Sequence, residues 1–159
     1  MTDIKKYKKL LKEKPNDSET HFMLANEYRR LSYFQQAIHH YKESIRIKPT
    51  PAVQSRLGFL HLELKRFPEA IKHFTQILRA NPADAGAHNG LGETSLGMKH
   101  YKEAIQHFAK AIEIEPAKSV YHYNLGRAFQ KLECYADAVN KYRQALKLDP
   151  SNSSARFYM

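Results

Sequence analysis

Near the C-terminal end, apolar residues return at steps of three and four through two stretches, Val120–Leu132 and Tyr135–Leu148. That spacing lines one face of an α-helix in each stretch, so the pair predicts a helical hairpin with one buried stripe per helix. The same pattern predicts earlier pairs at 18–31 with 34–48, 51–64 with 67–80, and 85–98 with 101–114. A further helix is expected over 3–14, where Tyr7, Leu10 and Leu11 precede Pro15. Proline punctuates the series: Pro15, Pro49, Pro82, Pro116 and Pro150 are spaced 34, 33, 34 and 34 residues apart. Each ends a helix, since proline cannot continue the hydrogen-bond ladder. Pro51 and Pro68 fall instead in first turns, which tolerate proline.

Between the prolines other residues keep the same step, and this internal period decides the fold. Leu24, Leu57, Leu91 and Leu125 are each followed by a small residue, Ala25, Gly58, Gly92 or Gly126. Ala37, Ala70, Ala104 and Ala138 follow twelve residues later. Aromatics stand three before those alanines, at Phe34, Phe67, Tyr101 and Tyr135, and four after, at Tyr41, Phe74, Phe108 and Tyr142. The small pair, Gly126 with Ala138 in the last copy, lets two helix backbones cross closely while the aromatics fill the space around them. A 34-residue hairpin cannot bury both stripes alone. The copies must therefore stack, and the fold class is an all-α solenoid.

At these residues the chain resembles the tetratricopeptide repeat family over about Ser18–Asn152. The resemblance implies one solenoid domain, a right-handed superhelix of four full copies, 18–50, 51–84, 85–118 and 119–152. Residues 1–17 would be the second helix of a partial copy and 153–159 the start of another. The family's large aromatic near the start of each first helix is missing, and His21, Gln54, His88 and His122 stand there. Because uncovered solenoid ends leave apolar surface in water, a longer array or self-association through 1–17 or 153–159 is expected.

Composition narrows the function. No apolar stretch approaches the roughly 20 residues of a membrane span, and the lysine-rich start lacks the apolar run of a secretory leader. The single cysteine, Cys134, provides no disulfide framework and fits a reducing, cytoplasmic setting. The net charge of +10 is spread along the chain and favours acidic partners by long-range steering.

The resemblance implies that the first helices line a concave face. Carried over by position, the groove presents Phe22, Asn26 and Arg29, then Ser55, Phe59 and Leu62, then Asn89, Glu93 and Leu96, then Tyr123, Arg127 and Gln130, with Glu19, Ala52, Gly86 and Val120 at the helix starts. Phe22, Phe59, Leu62, Leu96 and Tyr123 form an apolar track that internal packing would not require, and such tracks mark binding. The expected partner is an extended or helical segment of another protein, oriented by Asn26, Asn89 and Arg127. The alternative is single-stranded RNA or another acidic ligand, favoured by Arg29, Arg30, Arg56 and Arg127 and opposed by Glu19, Glu63 and Glu93. The chaperone-tail clamp of one family subgroup is not matched, because Phe22, Arg56, Gly86 and Gly90 replace its Lys, Asn and basic pair; only Asn26 fits.

No enzyme, cofactor or metal is expected. Gly90, Gly92 and Gly97 lie inside a helix with no strand before them, so they do not make a phosphate loop, and no His–acid arrangement points at Cys134. None of the nine histidines offers paired ligands three or four apart on one helix. His40, His73 and His107 share a register on second helices, as do His88 and His122 on first helices, a spacing that would allow ladders across the stack. The glycine-rich first helix of the third copy, with Ser95 in place of the aromatic at Tyr28 and Phe129, is expected to be poorly filled and the loosest of the series.

Overall fold

The computed structural model describes residues 3–157, which divide into two compact units, Met1–His73 and Phe74–Met159. Among the described residues every regular element is an α-helix. The first unit holds α1 (Asp3–Glu13), α2 (Ser18–Arg30), α3 (Phe34–Ile47), α4 (Pro51–Glu63) and the first half of α5 (Phe67–Ala80). The second holds the remainder of α5, α6 (Ala85–Gly97), α7 (Tyr101–Ile114), α8 (Ser119–Lys131), α9 (Tyr135–Leu148) and a short α10 (Ser153–Phe157). Each expected helix from 3–14 to 135–148 is present with ends displaced by at most one residue. Of the two expected partial copies, residues 1, 2, 158 and 159 lie outside the described residues. The fold is an all-α helical repeat solenoid.

In the first unit the repeated residues make the core. Leu24, Ala25, Ala37, Tyr41, Leu57 and Leu60 are fully buried, and Ile4, Tyr7 and Leu11 pack α1 onto them. Each buried leucine contributes on the order of 1.5–3 kcal/mol relative to exposure. In the second unit Ala104, Phe108, Leu125 and Ala128 form one cluster, and Ala138, Tyr142, Ala145 and Ala155 another that includes α10. The small–Ala pairing operates as its chemistry requires: a Cβ placed on Gly126 would stand 2.7 Å from the Tyr142 ring and 3.2 Å from the Ala138 carbonyl oxygen.

The third copy's first helix departs from expectation. Gly90 and Gly92 are not gaps: added Cβ atoms would come within 2.4 Å of the Phe74 ring and 2.6 Å of the Phe108 ring. The rings occupy the space that side chains would have taken. Ser95 is buried, Thr94 beside it is fully buried with its hydroxyl donating to the Gly90 carbonyl at 2.7 Å, and α6 is a well-filled helix.

The helix ends are built locally. Asp17 accepts from the Thr20 amide and hydroxyl, Thr50 from the Val53 amide at 3.4 Å, and Asp84 from the Ala87 amide at 2.7 Å, satisfying first-turn donors of α2, α4 and α6. Lys118 stands at the corresponding position before α8 and supplies no such bond. Inside each hairpin the first helix closes in a left-handed residue, Ser32, Lys65, Lys99 or Glu133, with φ between 56° and 65°. The amides that follow reach back five residues, Tyr33 to Tyr28, Arg66 to His61, His100 to Ser95 and Cys134 to Phe129, at 2.8–3.0 Å. This is the Schellman ending, which glycine usually serves.

Candidate binding groove

The histidines pair inside hairpins rather than forming ladders from one repeat to the next. His21 Nδ1 lies 2.9 Å from His40 Nδ1, and His88 Nδ1 lies 3.4 Å from His107 Nδ1, while His122 Nδ1 meets Gln144 Oε1 at 3.2 Å. The other nitrogen of each first-helix histidine, Nε2, donates to a loop carbonyl, that of Pro15, Pro82 or Pro116, at 2.8–3.1 Å. A carbonyl can only accept, which fixes the proton on Nε2 and leaves Nδ1 facing the second helix. His61 and His73 instead stack, with centroids 5.6 Å apart and rings 7° from parallel, and their Nδ1 atoms are buried without partners. Among the described residues no group of three metal-ligating side chains gathers.

In the first unit, α2 and α4 lie side by side, joined by the Arg29 guanidinium donating to Glu63 Oε2 at 3.1 Å. Two clefts run along their junction. One is lined by Asp17, Ser18, Glu19, Phe22, Ala52 and Val53 with Ser44 of α3 and with Lys48 and Thr50 of the turn that follows it; the other is lined by Asn26, Arg29, Arg30, Ser32, Arg56 and Glu63. Phe22 is half-buried against Tyr41, with ring centroids 6.0 Å apart. Asn26 Oδ1 accepts from the Tyr41 hydroxyl at 2.6 Å, which turns the Asn26 NH2 group away as a free donor. Ser55, Phe59 and Leu62 of α4 are all half-buried.

In the second unit, α6 and α8 meet through a polar network. Asn124 donates to Asn89 at 2.8 Å, Asn89 donates to Glu93 at 2.8 Å, and Arg127 donates to Asn124 at 3.2 Å. Burial pushes the Glu93 carboxyl up from its ordinary value, against the opposing pull of Asn89, Arg127 and Asn124. Arg127 sits over the Tyr123 ring at 5.8 Å, and Gln130 Oε1 accepts from the Tyr142 hydroxyl at 3.0 Å.

Several expected groove residues have other duties. Phe22, Leu96 and Tyr123 pack against buried clusters, so the apolar track is in part demanded by internal packing. Asn89 is only 5 % exposed and its amide is engaged within the network. The residues that hold Asn26 and Gln130 from behind, Tyr41 and Tyr142, were legible only as core aromatics. Asn124 does carry a signal in the sequence: of the residues that precede Leu24, Leu57, Leu91 and Leu125, it is the one Asn.

This architecture of repeated hairpins with first helices side by side defines a helical-repeat protein. Tetratricopeptide repeat models match residues 18–51, 61–125 and 119–152, and the chain belongs to that family. Among solved structures, a thermophilic tetratricopeptide repeat protein, TTC0263 from Thermus thermophilus, is 20% identical, with a TM-score of 0.84 over 98% of this chain and 86% of that one. MamA residues 41-end from Desulfovibrio magneticus RS-1 is 22% identical, with a TM-score of 0.80 over 94% and 85% of the two chains. YrrB, described as having an unusual peptide-binding site, is 19% identical, with a TM-score of 0.74 over 97% and 80%. At these identities the likeness is one of fold. Comparison with curated protein sequences gives no match. Among the described residues no helix is long and apolar enough to cross a membrane.

Proposed function

We propose that the protein is a non-enzymatic interaction scaffold whose first helices hold an extended or helical segment of a partner protein. The observation that carries this is the same in both units: a second-helix tyrosine hydroxyl, from Tyr41 or Tyr142, fixes the side-chain oxygen of a first-helix amide, Asn26 or Gln130. Each bond leaves an oriented NH2 group, matched to the carbonyl oxygens of a peptide backbone and set without further loss of side-chain freedom. The first helices also carry half-buried Phe22, Phe59, Leu62 and Tyr123, which offer apolar contact to side chains of the same segment. The repeat family and the peptide-binding description of YrrB, a structural neighbour, support a protein partner.

The test is affinity capture with the full chain and with an Asn26→Ala, Gln130→Ala variant, followed by mass spectrometry of the bound proteins. The variant is expected to lose most of the partners retained by the wild type. Identical partner sets would overturn the proposal.

A further inference from the structure

The two clefts of the first unit have opposite chemistry, and together they point to a particular kind of segment. One is apolar at its edge, where Phe22, Ala52 and Val53 meet. The other is rich in cations: Arg29, Arg30 and Arg56 surround Asn26, with Glu63 the one carboxylate among its lining residues. The arginines are not equally occupied. Arg30 donates through Nε and Nη2 to Glu27, and Arg29 through the same two nitrogens to Glu63, each on a single carboxylate oxygen. Arg56 is exposed and has no ion-pair or hydrogen-bond partner among the described residues. Asn26 lines the same cleft with its side-chain oxygen held by Tyr41, which leaves its NH2 group as the donor available there. A planar guanidinium with free donors beside an oriented amide is suited to accept a carboxylate, with charge-assisted hydrogen bonds.

Deepening the peptide-binding function proposed above, on which this inference rests, we infer that the first unit recognises an acidic side chain through Arg56, Asn26 and Arg29, in a segment whose apolar residue occupies the neighbouring cleft at Phe22 and Val53. The spacing follows from helix geometry. Along α2, Phe22 of the first cleft is four residues from Asn26 and seven from Arg29 of the second, so the anchor points are separated by ~6–11 Å. An extended chain rising ~3.3 Å per residue covers that in about two to four residues. The recognised segment thus carries Asp or Glu two to four positions from an aliphatic or aromatic residue. Single-stranded RNA fits less well, because Asp17 and Glu19 outnumber Lys48 in the lining of the adjacent cleft and a run of phosphates would cross them, whereas one carboxylate next to an apolar side chain would not.

Selection from a random twelve-residue peptide display library against the full chain tests this, with a fluorescent oligouridylate measured in parallel by anisotropy. The expected result is enrichment of peptides with an acidic residue two to four positions from an apolar one, whose synthetic forms lose at least tenfold in affinity to Arg56→Glu. Arg56 is exposed, and far-UV circular dichroism of this variant and of Arg56→Ala checks that both fold. Selection against Arg56→Glu should replace the enriched acid by Lys or Arg. Enriched peptides without an acidic bias, or indifferent to Arg56, would overturn the inference while leaving peptide binding in the groove intact. Failure to enrich any peptide would overturn both, and Arg56-dependent binding of the oligouridylate alone would replace the peptide by RNA.

Discussion

The Nδ1 atoms of His21 and His40 face each other at 2.9 Å, and since His21 Nε2 is committed to the Pro15 carbonyl, His40 must donate and His21 accept. A second proton has no place between them. Burial, with His21 adding to it, lowers His40 to about 4, and burial beside His61 lowers His73 to about 4. Burial also lowers His61 and His107. In the unfolded chain these groups titrate near 6.5. Between pH 6.5 and about 4 the unfolded state binds more protons, so stability is fully present above pH 6.5 and declines as pH falls through that window. Allowing for partial exposure, the loss is on the order of 1–2 kcal/mol per strongly shifted histidine. Urea midpoints measured from pH 7.5 to pH 4.5 should fall, and His40→Gln with His73→Gln should flatten the profile. A profile unchanged by those substitutions would refute the assignment.

Gly90 lies under the Phe74 ring, where a Cβ would stand 2.4 Å from it. In an unconstrained helix Gly→Ala stabilises by about 0.5–1 kcal/mol. Here the ring is fully buried and cannot withdraw into solvent, so Gly90→Ala should destabilise by about 1–3 kcal/mol. The sign of the change in thermal midpoint decides between the two effects.

Ser32, Lys65, Lys99 and Glu133 hold positive φ values that cost a side-chain-bearing residue on the order of 1 kcal/mol. Lys65→Gly and Glu133→Gly relieve that cost while keeping the backbone bonds of the turn. Each variant is expected to gain about 0.5–1 kcal/mol in denaturant unfolding. A loss in both would mean that the side chains, exposed as they are, hold the turn.

α8 begins without a side-chain cap, whereas Asp17 and Asp84 cap α2 and α6. Lys118→Asp replaces a cation at the positive end of the helix by an acceptor for first-turn amides. The expected gain is about 1 kcal/mol, read as a higher unfolding midpoint that diminishes as salt is raised.

The helices were legible because proline, the small–Ala pair and the flanking aromatics each have one mechanical role and recur in step. Local rules therefore agreed with the fold at every copy. The candidate groove was legible by position only. Phe22, Leu96 and Tyr123 share a first-helix face with Arg29 and Arg127, yet whether such a residue points inward depends on the ring behind it, which lies on another helix. The same dependence explains α6: Gly90 and Gly92 look like omissions until Phe74 and Phe108 are placed over them. The Tyr41 and Tyr142 hydroxyls were invisible as site-builders because their rings also satisfy the core pattern.

The bonds from His21, His88 and His122 to the Pro15, Pro82 and Pro116 carbonyls use a nitrogen that carries its proton whether the ring is neutral or charged. The contact on the far side of the His21 ring is different, because it rests on one proton shared with His40, whereas the tie to the preceding loop needs nothing from the second helix. The loops before α2, α6 and α8 are thus held by fasteners that do not sense pH.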